Sequence, residues 1–115
     1  MIKIYHNPQW SKSRKSVEIL NHRKVKFTVI EYIKVGITEN DLSEISKKLN
    51  LHPKDFIRKS DKLFKENNIE KYINDDKQLF KEIIKYPKLL ERPIIIQNDT
   101  AIIARPAELL NNFLL

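Results

Sequence analysis

Ile2 and Ile4 alternate with Lys3 ahead of Tyr5, and this period of two predicts a short β-strand over residues 2–5. His6-Asn7-Pro8-Gln9 reads as a loop, with Pro8 interrupting regular structure. From Ser11 to Asn21 the spacing becomes helical. Val17, Leu20 and the stem of Arg14 fall at intervals of three on one face, and Ser11 is placed to act as the N-cap. Lys26 to Tyr32 is rich in β-branched and aromatic residues and predicts a second strand. Strand, helix and strand within about 30 residues make a βαβ unit with parallel strands.

The middle of the chain changes to helical periodicity. Thr38 is placed to cap a helix that runs to about Leu49, with Asp41 three residues on as a capping-box partner. Leu42, Ile45 and Leu49 form its apolar face. Pro53 suits the first turn of a short helix ending near Arg58, and Ser60 or Asp61 starts another. Asp75 to Tyr86 closes this block, stopped by Pro87. Two short apolar runs follow, Pro93–Ile96 and Ala101–Ala104, separated by Gln97-Asn98-Asp99-Thr100, which is good hairpin-turn chemistry. Pro106 opens a final helix through Leu109, Leu110 and Phe113. The order βαβ, helical block, ββ, α is that of a thioredoxin or glutaredoxin core with helices inserted in its middle. The expected fold class is therefore α/β, with a four-stranded mixed sheet. The expected organisation is one domain over residues 1–115, with a core at 1–35 and 88–115 and a helical insertion at 38–87. An insertion of that length is too short to build an independent core.

Composition narrows the chemistry. The sequence contains no cysteine, so disulfides, thiolate metal sites and thiol catalysis by this chain are excluded. No metal site is expected. No apolar run approaches the roughly 18 residues of a membrane span, and residues 1–5 lack signal-peptide character. The expectation is a cytoplasmic protein with no membrane partner. The formal net charge of +7 favours anions. Lysines are scattered through the helical stretches rather than gathered in one run, which argues against nucleic acid as the partner. Only five of the 22 basic residues are arginine: Arg14, Arg23, Arg58, Arg92 and Arg105. A guanidinium offers oxyanions a planar fork that an ammonium cannot copy.

The loop after the first strand is the most specific feature. It ends a strand and opens a helix, where outward backbone N–H groups favour anions. His6-Asn7-Pro8-Gln9-Trp10-Ser11-Lys12-Ser13-Arg14 resembles the active-site loop of the ArsC family, the glutaredoxin-coupled arsenate reductases, whose pattern is His-Asn-Pro-x-Cys-x-x-Ser-Arg. Three further segments carry the same resemblance. Ile57-Arg58-Lys59 is similar to the family's second arginine motif. Leu90-Glu91-Arg92-Pro93-Ile94-Ile95-Ile96 is similar to its Arg-Pro-Ile strand. Ala104-Arg105-Pro106-Ala107-Glu108 is similar to its closing Arg-Pro-x-Glu motif. The likeness spans residues 1 to about 113 and includes four of the five arginines.

The resemblance implies a thioredoxin fold and places the family's nucleophilic cysteine at Trp10. It implies that His6 lies near that position as the residue that would lower a thiol pKa. It implies that Arg58, Arg92 and Arg105 hold the oxyanion, and that Pro93 follows a cis peptide bond. The family reaction reduces arsenate with electrons from glutathione and glutaredoxin. The residues themselves agree with the anion site and disagree with the reaction. Ser11, Ser13, Arg14, Arg58, Arg92 and Arg105 are the candidate anion contacts. Trp10 supplies no nucleophile and no redox sulfur.

The expected function is therefore an ArsC-like pseudoenzyme that keeps an oxyanion-binding frame for arsenate, phosphate or sulfate, without bound cofactor. Two alternatives stand beside it. One is an oxidoreductase of the arsenate reductase class using external glutathione or glutaredoxin thiols. The other is a protein-binding regulator like the Spx transcription regulators, which share the fold but carry a Cys-x-x-Cys pair where this chain has Trp10-Ser11-Lys12-Ser13. Each residue also has a plainer reading: the arginines as surface ion pairs, His6 as a partner for loop backbone, and Trp10 as packing or an exposed platform.

Overall fold

The computed structural model describes residues 2–114. Strand β1 spans Ile2–Tyr5, helix α1 Ser11–His22, strand β2 Phe27–Ile30 and the short helix α2 Tyr32–Val35. Helices α3, Glu39–Leu49, α4, Lys62–Glu66, and α5, Asp76–Lys85, follow, with single 3-10 turns at Pro53–Asp55, Ile69–Tyr72 and Pro87–Leu89. The chain then forms strands β3, Ile94–Gln97, and β4, Thr100–Ile103. It ends in a 3-10 turn, Ala107–Leu109, that runs into helix α6, Leu110–Phe113. The chain divides into two compact units, residues 1–35 with 92–115 and residues 36–91. Among the described residues no helix is long and apolar enough to cross a membrane.

The first unit is built on a four-stranded mixed sheet in the order β2-β1-β3-β4, the α/β arrangement expected from the element order. β1 lies inside the sheet, parallel to β2 and antiparallel to β3. Its two faces are set by the pleat. Ile2 and Ile4 turn to one side, where they pack with Leu20 of α1, Ile95, Ala104, Leu110 and Leu114 in one apolar cluster. Tyr5 is also buried, and its ring meets Tyr32 edge to face at 6.4 Å. The β3–β4 hairpin turns through Asn98 and Asp99, with Asn98 at φ 56. That left-handed conformation is one that asparagine tolerates better than most residues.

The second unit buries the apolar faces of α3 and α5, through Leu42 and Ile45 of the first and Leu79 and Ile83 of the second. Its far end is tied back by main chain. The Arg58 N–H donates to the Leu89 carbonyl at 2.6 Å, the Glu91 N–H donates to Phe56 at 2.9 Å, and Ile57 and Leu90 form an antiparallel bridge. These bonds are why residues 88–91 belong with the helical segment and not with the strand that follows. The capping box at α3 is complete: Thr38 accepts from the Asp41 N–H at 3.1 Å, and Asp41 accepts from the Thr38 N–H at 3.0 Å. Asn50 closes the helix in the left-handed region at φ 58.

Several local expectations are corrected. Ser11 is the first helical residue of α1, and the cap position belongs to Trp10, which is extended at φ −107, ψ 129 and has no side-chain cap. The buried face of α1 is Ser13, Ser16 and Leu20 with Val17 beside it, and Arg14 is exposed. Two of these buried residues, Ser13 and Ser16, are small and polar. The second strand stops at Ile30, because Tyr32 turns inward as the start of α2. Pro53 opens only a 3-10 turn, and Pro106 caps the last helical segment from outside. Removing the α3 cap by Thr38→Ala is expected to destabilise the protein by about 0.5–2 kcal/mol in urea unfolding, with Thr38→Ser close to wild type. Equal stability of Thr38→Ala and wild type would contradict a role for the box.

Candidate anion site

The register of the sheet builds the site. Tyr5, the last residue of β1, pairs with Ile94, the first of β3, and Ile94 pairs with Ile103, the last of β4. The segment leaving β1, the segment entering β3 and the segment leaving β4 therefore meet at one end of the sheet. They bring the loop with Trp10, the dipeptide Arg92-Pro93 and the dipeptide Arg105-Pro106 together. Both of these X-Pro bonds are cis.

The loop is shaped by its own polar groups. Asn7 is buried, and its Oδ1 accepts the Gln9 N–H at 3.0 Å while its carbonyl accepts the Trp10 N–H at 3.1 Å. This is the Asx-type turn that Asn-Pro sequences favour. Ser13 Oγ accepts the Asn7 N–H at 3.3 Å from a position with no solvent exposure. Ser13 is thus a brace behind the loop and not a ligand contact, which corrects the sequence expectation. The Arg14 Nη1 donates to the Pro8 carbonyl at 2.9 Å and so ties the first turn of α1 to the loop.

A cavity of about 480 Å³ opens on this end of the unit. Three arginines line it, Arg14, Arg92 and Arg105, together with Trp10, Ser11 and Lys12. Gln9 also contributes to the wall. The first turn of α1 contains no acidic residue. Cationic side chains are therefore gathered at the positive end of a helix, where they raise the potential rather than cancel it. The Arg92 guanidinium lies over the Trp10 ring. Gln9 and Lys12 were not singled out from the sequence. Only their position on either side of Trp10 and Ser11 could have suggested them.

The chain matches the ArsC family over residues 5–113. The ArsC family is the family of this chain. An arsenate reductase of Haemophilus influenzae is 36% identical over 106 residues, which cover 91% of each chain. One of Neisseria meningitidis serogroup A is 36% identical over 108 residues, 93% of this chain and 92% of the relative. The solved structure of an arsenate reductase from Vibrio cholerae superposes with a TM-score of 0.92 at 32% identity, covering 98% of this chain and 97% of that one. The four-stranded sheet and its helices are thus an ArsC fold of the thioredoxin-like class, and this ArsC chain contains no cysteine.

The remaining site residues sit as follows. His6 is buried at the end of β1, its N–H donates to the Ile30 carbonyl at 2.9 Å, and its Nδ1 is buried without a hydrogen-bond partner among the described residues. Arg58 belongs to the second unit. There its Nη1 donates to Asp61 Oδ2 at 2.9 Å, and its Nε lies 3.8 Å from Glu91 Oε1. Among the described residues no group of three or more His, Asp or Glu side chains is arranged to hold a metal ion.

Burial pushes the pKa of His6 below its ordinary value; Glu31 raises it and Arg14 lowers it further. A neutral imidazole in the folded state, against an unfolded pKa near about 6.5, means the unfolded chain binds more protons just below that pH. Stability from this group is therefore complete above about 6.5 and is lost as pH falls through the lowered native value. Urea unfolding across this range is expected to show wild type losing stability relative to His6→Gln as pH drops below about 6.5. Parallel pH profiles for the two proteins would refute the assignment.

Proposed function

We propose that this ArsC protein binds a tetrahedral oxyanion such as phosphate, sulfate or arsenate reversibly and does not reduce it by thiol chemistry. The observation that carries this reading is the cavity walled by Arg14, Arg92 and Arg105 at the first turn of α1, in a chain with no cysteine. A dianion there meets guanidinium groups, which donate charge-assisted hydrogen bonds, and the N–H groups at a helix start. Charge-assisted bonds of this kind are the strong ones. The anion also relieves the repulsion among cations gathered at the positive helix end.

Reduction of arsenate in this family proceeds through attack by a cysteine thiolate at the position of Trp10. An indole has no lone pair suited to that attack, since its only polar group is an N–H donor. The protein therefore supplies binding and orientation without the electron pair. Glutathione and glutaredoxin enter only if an outside thiol reaches a bound arsenate.

Titration of phosphate, sulfate and arsenate against amide NMR shifts is expected to perturb Ser11, Lys12, Arg92 and Arg105, and to raise the thermal midpoint by mass action. Unmoved resonances at all four would end the reading. A coupled NADPH assay with glutathione, glutaredoxin and arsenate is expected to run no faster than its protein-free control. Trp10→Cys is expected to gain thiol reactivity, with alkylation faster near pH 7 than that of free cysteine, because a helix N-terminus lowers a thiol pKa.

A further inference from the structure

The positive charge of the chain is not shared evenly between its two units. Residues 1–35 with 92–115 contain ten Lys and Arg against four Asp and Glu, whereas residues 36–91 contain twelve against eleven. Nearly the whole excess of +7 therefore belongs to the first unit. It gathers along α1 and the residues that follow it. Lys12, Arg14, Lys15, Arg23, Lys24 and Lys26 are all exposed, and Glu18 is the one carboxylate among residues 10–26. Among the described residues none of Lys12, Arg14, Lys15 and Arg23 forms an ion pair, whereas in the second unit Lys48 meets Glu44, and Arg58 meets Asp61 and Glu91. A surface of one dominant sign attracts the opposite charge and steers its approach.

α1 packs against the 3-10 turn Ala107–Leu109 and α6, and the seam between them is open to solvent. Beyond the arginine-walled cavity, one hollow has Lys15 and Glu18 of α1 on one side and Pro106, Ala107 and Glu108 on the other. The next has Lys15, Glu18, Ile19 and Arg23 on one side and Asn111 on the other. Each hollow shares residues with the one before it, first Ser11, Lys12 and Arg14, then Lys15 and Glu18. The three therefore form one track along α1. From Trp10 to Arg23 the helix rises roughly 20 Å at about 1.5 Å per residue, which matches about six residues of extended chain. Lys12, Lys15, Ile19 and Arg23 recur at intervals of three and four, the spacing that keeps side chains on one helix face.

We propose that this track docks an extended acidic segment of a partner protein. Carboxylates of the segment face Lys15 and Arg23, and its uncharged side chains cover Ile19 and pass Glu18 and Glu108. Those two carboxylates favour a peptide over a nucleic acid. A nucleic-acid strand repeats its charge about every 3.4 Å, and so sets phosphates against Glu18 and Glu108 as well as against the lysines, where like charges cost affinity. An acidic peptide spaces its charges by sequence and leaves those positions neutral. Single strands are also gripped by rows of aromatic rings, and Trp10 is the only Phe, Tyr or Trp side chain lining the three hollows. Oxyanion binding is not needed for this docking, since Lys15 and Arg23 lie outside the arginine-walled cavity.

The probe is a peptide of about six residues that alternates glutamate with serine and is blocked at both ends. Its lysine-for-glutamate counterpart, hexathymidylate and inorganic phosphate are titrated beside it. The acidic peptide is expected to move the amide resonances of Lys15, Ile19, Arg23 and Asn111, with an affinity that falls as salt is raised. The lysine peptide is expected not to bind. Lys15→Glu combined with Arg23→Glu is expected to weaken the acidic peptide about tenfold and to leave phosphate binding unchanged. The neutral pair Lys15→Gln with Arg23→Gln is expected to lose part of the affinity, and it covers the case in which the reversed pair fails to fold. Shifts confined to Ser11, Arg92 and Arg105, an affinity unchanged by both pairs of substitutions, or hexathymidylate binding as tightly at Lys15 and Arg23 would overturn the docking proposal and leave the oxyanion reading intact. Docking along α1 by a protein that takes no phosphate would overturn the oxyanion reading alone.

Discussion

The antiparallel register between β1 and β3 is the constraint on which the site depends. Tyr5 opposite Ile94 means that whatever follows β1 in sequence lies beside whatever precedes β3. The β3–β4 pairing extends this to the residues after Ile103. Three segments that are far apart in sequence are thereby delivered to one end of the sheet. A slip of one residue would turn either Ile4 or Ile95 out of the apolar cluster, since successive side chains face opposite sides. The burial that fixes the core therefore also fixes the distance between Trp10 and Arg92.

Within that frame the charges are arranged against local stability. Lys12 and Arg14 lie in the first turns of α1 with no acidic residue in the first turn, an unfavourable placement relative to the helix dipole. α3 does the opposite, with Glu39 and Asp41 in its first turn and Lys47 and Lys48 in its last. The contrast within one chain marks the α1 terminus as the place where local preference is overruled. Such overruling is typical of functional sites. The loop is held by two buried groups that do not line the cavity, Asn7 and Ser13, and by Arg14, which lines it and donates to the Pro8 carbonyl.

Much of this was readable before the fold was seen. The strand at residues 2–5, the capped helix from Thr38, the Asn-Asp hairpin and the family loop all carry local signals, and each appears where its signal lies. The misread positions share a cause. Ser11 has the chemistry of an N-cap, but Trp10 holds the cap position because the Asn7 turn, not a hydroxyl, sets the entry to the helix. Ser13 has the chemistry of an anion contact, but tertiary packing places it behind the loop. Tyr32 looks like a strand residue and is drawn inward by its ring contact with Tyr5.

The sequence by itself determined the family, the order of the four strands and the longer helices, and the absence of a cysteine. These follow from residue types at fixed local spacings and from the absence of sulfur nucleophiles, neither of which depends on how the chain folds. Which arginines stand together was decided only by tertiary structure. Arg58 and Arg92 each lie in a matching motif, yet one faces Asp61 and Glu91 and the other lies on an indole. That difference follows from strand register and from long-range neighbours, which local spacing does not encode.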